Sequence, residues 1–581
     1  MCGFTILFGT DPRSTPLSYY YANQERGGDF SSVIYLPSIN ATVVFHRLAI
    51  IGTKGSAGDQ PIRKHGCIMV CNGEIYNYIR LQSDLHKVNS IYAPKGSSDC
   101  EVLLDLYYHH KSLDFLPSVD GVFSFVILDI MNKRICIGRD SYGVRPGYIS
   151  QCGKAISSTL RGIPRELRKN CYQIPPGSKG VYNIGDSPIH EIWTSASLCT
   201  TDMFPLTEAK TYIDSLLSKV RDTFLYAVRK RVLHTEREIG CLLSGGLDSS
   251  IVAAIVVDTH RSRGGNSTDI HTFTIGIRGS PDVLYARQVA KYLGTTHHEW
   301  LYSEDLFLRA IPDVIRDTGT FDITTIRASV GNWLVAKKIA EKTTVRVIFN
   351  GDGADEVCGG YAYTHLAPSL EAFDKDCKRL VDNIYLYDGL RSDRCIAAHG
   401  LEARTPFLDK TFVQTYFQIP SSLRAPGTVK GTQCWVRSVP ELRKITKWFF
   451  RLAFSQSELL PAHILWRHKE AFSDGVSAQD MTWGDITKYY AHSLVPAHLQ
   501  STTLPEDAEK SLYRSLFTEF YGEDATCVLP EYWMPKWTDT SVKDPSARTL
   551  SCYEITNTVY PLCGNIRSLG PLPAFPNKSL P

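Results

Sequence analysis

Apolar and polar positions follow two rhythms along the chain, and the change falls near residue 190. Before it, short apolar runs recur at ATVVF (41–45), CIMVC (67–71), VFSFVILD (122–129) and RICIG (134–138), separated by Gly, Asn and Asp. Such runs between turn formers predict strands at hairpin spacing, with one helix over Cys100–His110. The expected unit is an α+β domain of stacked, mostly antiparallel sheets. Beyond it, Ala209, Tyr212, Ile213, Leu216, Leu217 and Val220 recur at helical spacing, which predicts an amphipathic helix over 207–232. Strand IGCLL (239–243) precedes SGGLDSS and an apolar helix from Ile251, HTFTIGI precedes DVLYARQVAKYLG, and VRVIFN (345–350) runs into GDGADE. Strands alternating with helices predict an α/β unit whose parallel sheet is covered on both faces. The expected division is a domain over 2–190, a linker over 191–206, a second domain over 207–540 and a peripheral Pro/Ser/Gly-rich tail over 541–581.

Composition narrows the function classes. With 43% hydrophobic residues in 581, disorder and fibre are excluded. The charge balance is 63 − 60 = +3 with no block of one sign, so no nucleic-acid partner is expected. The longest apolar runs, such as Ile251–Val257, are far short of the ~18 residues of a membrane span. The start, MCGFTILFGTDPR, lacks a secretory pattern, and sixteen scattered cysteines without a CxxC read as free thiols. A cytosolic protein is expected, in which the sequons at Asn40, Asn266 and Asn577 carry no meaning.

Candidate chemistry falls into two groups. Removal of Met1 leaves Cys2 as the N-terminal residue, carrying a nucleophile and, in its own α-amine, a base that titrates near working pH. Such a thiol attacks an amide carbonyl. In CNGEIYN, read as following a strand, the Asn72 amide and the Gly73 N–H offer oxyanion donors. Arg47 can take a substrate carboxylate bidentately, and Glu74 and Asp99 can hold its ammonium. A Cys at position 2 alone is commonplace and NGE alone is a turn, so the inference rests on their combination in one domain.

The second group surrounds SGGLDSS. A Gly-rich turn at a helix N-terminus binds phosphate oxygens through backbone N–H groups, and Ser244, Ser249 and Ser250 add hydroxyls. The loop lacks the GxxxxGK[ST] pattern of a P-loop. Asp248 would repel phosphate unless Mg²⁺ lies between, and Asp355 can supply the second carboxylate. Lys469 offers a cation for phosphate or the transition state. Asp388, Arg391, Glu402 and Arg404 cluster in sequence, the last two reading equally as ion pairs on a helix surface. His297 and His298 alternate on a strand and read as structural.

Taken together, MCGF, RLAIIG, NGEIYN, SGGLDSS, SPD, TTIRAS, GDGADEVCGGY, GLEARTPFLD and WRHKEAFSDGV resemble the glutamine-hydrolysing asparagine synthetase family over residues 2–540. The resemblance implies an N-terminal four-layer sandwich of antiparallel sheets, of the N-terminal-nucleophile type. It implies a C-terminal α/β domain of the ATP-pyrophosphatase type. It implies that glutamine releases ammonia at Cys2, and that ATP with Mg²⁺ activates aspartate as β-aspartyl-AMP, giving asparagine, AMP, pyrophosphate and glutamate. By motif position, Arg47, Leu48, Ala49, Ile50, Ile51, Asn72, Gly73, Glu74 and Asp99 would hold glutamine. Leu242, Ile275, Asn350 and Gly351 would hold ATP, and Ser244, Gly245, Gly246, Asp248, Ser249 and Ser250 its pyrophosphate portion. Asp388, Arg391 and Lys469 would surround aspartate and the intermediate. A dry interdomain route for ammonia predicts an apolar boundary lined by small residues.

Two departures touch the synthetase half. The family's SGEG loop reads NGDG, with Asn350 for Ser and Asp352 for a catalytic Glu, and VGNW follows TTIRAS. A related amidotransferase with another acid as acceptor, or a binding protein that keeps the fold, stays open on sequence alone. The expected partners are glutamine, aspartate and ATP; a homodimer also stays open.

Overall fold

The alternating N-terminal runs form two six-stranded antiparallel sheets. One runs Tyr172–Gln173, Tyr148–Ile149, Ala155–Ser157, Gly3–Phe8, Ala41–Arg47, Phe30–Leu36. The other runs Glu191–Ile192, Ser178–Asn183, Arg134–Arg139, Gly121–Asp129, Cys67–Ile75, Ile62–Lys64. The structure is a computed structural model that describes residues 1–9, 16–193, 209–432, 445–539, 544–546 and 550, less positions 54, 56, 89, 91, 92, 95, 471 and 478–480. Most of the expected linker and tail therefore lies outside the described residues.

The period-2 geometry of a strand assigns each side chain to a layer. Phe4, Ile6, Val43 and Phe45 of the first sheet meet Ile68, Val70, Val126 and Ile137 of the second, so the sheets stack face to face. The alternate residues Met69, Cys71, Phe123 and Phe125 pack on the helices Tyr78–Val88 and Glu101–His110. On the opposite side, Leu7, Tyr148 and Ala155 join a core that contains Phe517 and Tyr521 of the C-terminal half.

The C-terminal sheet is parallel throughout, in the order Thr296–Tyr302, His271–Ile277, Ile239–Leu242, Val347–Phe349, Glu402–Arg404. Val347 and Phe349 face a core with Phe224, Ala227 and Ile251, whereas Ile348 faces Ile311, Ile326 and Ile396. Both faces are therefore covered by helices. The chain adds two strands in succession, His271–Ile277 and Thr296–Tyr302, to one side of Ile239–Leu242 and then crosses to the other, so the order reverses between Ile239–Leu242 and Val347–Phe349. Open α/β sheets bind ligands beyond the strand ends at such a point. Two expected elements change. CNGEIYN does not follow a strand: Asn72, Gly73 and Glu74 lie inside Cys67–Ile75, paired with Gly121–Asp129. Glu402 and Arg404 lie on the buried edge strand Glu402–Arg404, not on a helix surface, because that side of the sheet packs against the N-terminal half.

One buried cation ties the helix Ile323–Lys342 to the C-terminal segments. Arg327 Nη2 lies 2.6 Å from Glu509 and Nη1 lies 2.9 Å from Asp544, all three groups being buried. Arg327→Leu leaves two buried carboxylates without that partner and should destabilise the fold by about 3–5 kcal/mol. A urea unfolding midpoint no lower than that of the parent chain would contradict this packing.

Candidate functional site

At the N-terminal site, strand Gly3–Phe8 places Cys2 at its mouth, where the thiol donates to the Leu48 carbonyl at 3.8 Å. With Met1 present, burial pushes the thiol up to about 11 and the terminal amine down to about 6. Met1 itself is buried beside Arg26 and Arg145. Asn72 is fully buried, and neither its amide nitrogen nor its amide oxygen has a hydrogen-bond partner. That is the expected state of a donor reserved for a ligand. A Cβ on Gly73 would stand 2.4 Å from the Val122 carbonyl, so only Gly fits this close ladder.

The loop after strand Ala41–Arg47 is clamped by the C-terminal half. Ala49 N–H donates to Asp29 at 2.8 Å, and Arg237 holds both Asp29, at 2.9 Å, and the Ala49 carbonyl, at 2.6 Å. Glu236 takes the N–H groups of Gly52 and Thr53 and donates its own to the Ile50 carbonyl at 3.0 Å. Leu48, Ala49 and Ile50 are buried and Ile51 half-buried. Arg47 pairs with Asp59 at 2.8 Å and donates to the Ile51 and Gly52 carbonyls, so a substrate carboxylate would have to share it. Glu74 and Asp99 converge as expected, and His234 Nε2 joins them at 3.4 and 3.5 Å. Burial, with Glu402 and Asp99 nearby, holds the Glu74 carboxyl well above the usual carboxylate range.

The boundary between the halves beside Cys2 carries buried charge as well as apolar contacts such as those of Leu48 and Ile50. Arg26 meets Asp393 at 2.8 Å, Arg145 lies 3.8 Å from Glu402, and Arg404 lies 2.9 Å from Glu402 and 3.7 Å from Glu74. Excluding water requires only that buried charges be paired; the lining need not be small or apolar.

The second site sits at the reversal point of the parallel sheet. Leu242 ends its strand, Gly245 takes a left-handed φ of 70° against Tyr285 and Ala286, and Gly246 caps the helix Leu247–Ser262. Ser244 and Ser249 hydroxyls lie 3.1 Å apart, and the buried Ser250 hydroxyl has no hydrogen-bond partner. A Cβ on Gly351 would meet Asp248 and Ser249 backbone at 2.8 Å, so the two loops touch. Leu242, Ser244, Gly246, Asp248, Ile275, Asn350, Gly351, Asp352, Asp355, Asp388, Arg391 and Lys469 line one cavity.

Within it, Asp248 and Asp355 converge on one cation position, and the Lys447 ammonium fills it. Its Nζ lies 2.7 Å from Asp248 and 2.6 Å from Asp355. Lys469 reaches Asp355 at 2.6 Å and Asp248 at 3.5 Å. These ammonium groups outweigh the cost of burial and hold the Asp355 carboxyl far below its usual range. In the structure the two carboxylates expected to hold a metal are bridged by lysine ammonium groups. Further in, Arg391 binds Asp352 at 2.8 Å and Asp388 at 3.1 Å, and the Tyr361 hydroxyl joins Glu356, at 2.7 Å, to Asp388, at 3.1 Å. The sequence reading missed His234, Arg145 and Lys447. Lys447 carries a signal visible only in the backbone, a left-handed φ of 58° immediately before helix Trp448–Phe454.

Comparison with known proteins agrees with this two-site layout. The Asparagine synthase family profile matches residues 219–377 and 366–538, and a Glutamine amidotransferase domain profile matches residues 1–172. The chain is 36% identical over 591 residues to the glutamine-hydrolyzing asparagine synthetases of Bos taurus and Homo sapiens, covering 95% of this chain and 99% of each relative. It is 36% identical over 593 residues to the one of Gallus gallus, at the same coverage.

A thiol is reactive only as thiolate, so a chain that retains Met1 should alkylate at Cys2 with iodoacetamide appreciably only as pH approaches about 11. Removal of Met1 replaces the buried peptide by a titrating amine and should bring that reaction to near-neutral pH. Peptide mass mapping across pH reads both; identical profiles would contradict the effect of processing.

Proposed function

The chain belongs to the glutamine-hydrolysing asparagine synthetase family, and from that premise we propose how its two sites divide the synthesis of asparagine from aspartate, glutamine and ATP. At the first site the Cys2 thiol, deprotonated by its own amine after Met1 is removed, attacks the glutamine side-chain amide. The Asn72 amide and the Gly73 N–H take the oxyanion, and Arg47 with the loop Leu48–Ile51 holds the substrate carboxylate end. Glu74 and Asp99 hold the ammonium. Ammonia leaves, and water releases glutamate from the thioester.

At the second site the loop Ser244–Ser250 cradles the ATP phosphates, and Leu242, Ile275, Asn350 and Gly351 bound the nucleotide. Asp388, Arg391 and Lys469 surround aspartate, and Asp352, paired with Arg391 in the same cavity, is the catalytic acid beside it. The donor set of Asp248 and Asp355, oxygen-only and convergent on one cation position, suits Mg²⁺. Bound there, the ion would neutralise charge on departing pyrophosphate, with Lys447 and Lys469 passing to phosphate oxygens. Ammonia then attacks the β-aspartyl-AMP carbonyl and AMP departs.

The observation that carries this bifunctional reading is the position of Arg404. Its guanidinium lies 3.7 Å from Glu74 at the first site, and its carbonyl accepts the Asn350 N–H of the second at 3.1 Å. One residue thus touches both sites. The guanidiniums along this boundary stay protonated at working pH and so give no proton to ammonia in transit. No described helix is long and apolar enough to cross a membrane. The cytosol remains the proposed location, and a homodimer the proposed assembly.

The chain supplied with glutamine, aspartate and Mg-ATP should yield asparagine, AMP and pyrophosphate in equal amounts. Pyrophosphate formed only with another acid would replace aspartate as the acceptor. Cys2→Ala should abolish the glutamine-dependent rate and retain the ammonia-dependent one; loss of both in folded protein would argue against two separable sites.

A further inference from the structure

Among the described residues, one group of three metal-binding side chains converges: Glu74, Asp99 and His234, whose ligand atoms all lie within 4.8 Å of one another. Glu74 comes from strand Cys67–Ile75, on the same face as Asn72. Asp99 precedes helix Glu101–His110, and His234 directly follows helix Ala209–Leu233, so the C-terminal half supplies the nitrogen and the N-terminal half the oxygens. Glu74 and His234 are 5% and 9% exposed, and Glu74 Oε2 and His234 Nε2 each lack a hydrogen-bond partner. Buried polar atoms in native structures are rarely left so, and those left point to a ligand.

We propose that Glu74, Asp99 and His234 form a binding site for a transition-metal dication of the Zn²⁺ type, placed so that metal and glutamine exclude each other. Three features support the metal. Imidazole nitrogen with carboxylate oxygen is a donor set Zn²⁺ accepts, with a fourth position left for water. Ligands bound at ~2.0–2.2 Å around a tetrahedral ion stand roughly 3.3–3.5 Å apart, and His234 Nε2 lies 3.4 Å from Glu74 Oε2 and 3.5 Å from Asp99 Oδ2. The imidazole is wedged edge-on between Tyr76 and Tyr78, at 5.4 Å from each ring, which fixes its plane. Asp99 Oδ2 also accepts the Ile75 N–H at 2.6 Å, which orients it and leaves a second lone pair. Arg404, 3.7 Å from Glu74 Oε2, offsets part of the negative charge.

The exclusion of glutamine rests on the proposed assignment of Glu74 and Asp99 to the substrate ammonium; the metal site itself does not. A bound dication would therefore block glutamine use and leave ammonia-dependent synthesis running at the second site.

The test uses full-length, Met1-processed protein, freed of metal by chelator. Titration with Co²⁺ should give one equivalent of tetrahedral absorption bands without sulfur charge transfer, displaced by Zn²⁺. His234→Ala should weaken binding at least about tenfold, its ammonia-dependent synthesis reporting that it is folded; His234→Gln, which keeps the bulk, serves if it is not. Zn²⁺ should inhibit glutaminase activity competitively with glutamine in the parent chain and far less in the variant. Absence of the bands, or bands and inhibition that persist in the variant, overturns the site. Bands that need His234 but are indifferent to glutamine support the metal site and overturn the assignment of Glu74 and Asp99 to the ammonium.

Discussion

Six buried charges at the boundary between the halves govern the rest of the molecule. Arg26, Arg145 and Glu74 come from the N-terminal half, and Arg404, Asp393 and Glu402 from the C-terminal half. The guanidiniums of Arg26 and Arg145 find their carboxylate partners, Asp393 and Glu402, only in the second set, so these charges stay unpaired until the halves meet. An unpaired buried ion costs several kcal/mol, and that cost falls steeply when an opposite charge arrives at hydrogen-bonding distance. Apolar surface alone would let the halves slide. Directional contacts such as Arg26 to Asp393 at 2.8 Å fix one orientation, and with it the register between Cys2 and the parallel sheet.

The same balance operates inside the synthetase cavity. Two carboxylates, Asp248 and Asp355, are matched by two ammonium groups, Lys447 and Lys469, so the phosphate end is neutral at rest. An arriving triphosphate offers the lysines new partners and leaves the carboxylates to a metal cation. Deeper in, Asp352 and Asp388 share the single cation Arg391. The local surplus of negative charge suits the ammonium of aspartate under the proposed assignment.

Much of the fold was legible because hydrophobic period tracks secondary structure. The strand HTFTIGI has the expected bounds, and the helix expected over 207–232 runs Ala209–Leu233. Motif residues were legible where a backbone requirement writes itself as Gly, as at Gly245 and Gly351. Side chains that act across the domain boundary were not. His234 is a lone histidine after a helix, and nothing local says that it enters a pocket built by residues 74 and 99. From sequence, Asn72–Glu74 reads as a turn-like segment after a strand, because polar residues inside a buried strand look like its end. Their burial depends on the facing half, which local periodicity does not register. The helix-surface alternative for Glu402 and Arg404 fails for the same reason.

The shorter acid at position 352 shows how such a departure is absorbed. An Asp reaches one methylene less far than a Glu, which from sequence alone put its role in doubt. Its loop is drawn in: the Asn350 side-chain amide donates through Nδ2 to the Ser392 hydroxyl at 2.7 Å, and its Oδ1 accepts the Asp352 N–H at 3.3 Å. Asp352 Oδ1 then meets Arg391 at 2.8 Å, while Oδ2 is buried with no hydrogen-bond partner. Burial, opposed by Arg391, raises its carboxyl above the ordinary Asp range. An acid so held keeps one oxygen fixed and one available within the cavity. Asn350 and Asp352 act as a pair, in which the amide supplies the anchoring that a serine hydroxyl, with less reach, would not extend to Ser392. The hydrogen bond from the Asp352 N–H to the Asn350 amide and the ion pair of Asp352 with Arg391 thus hold the two residues as one unit at the mouth of the loop.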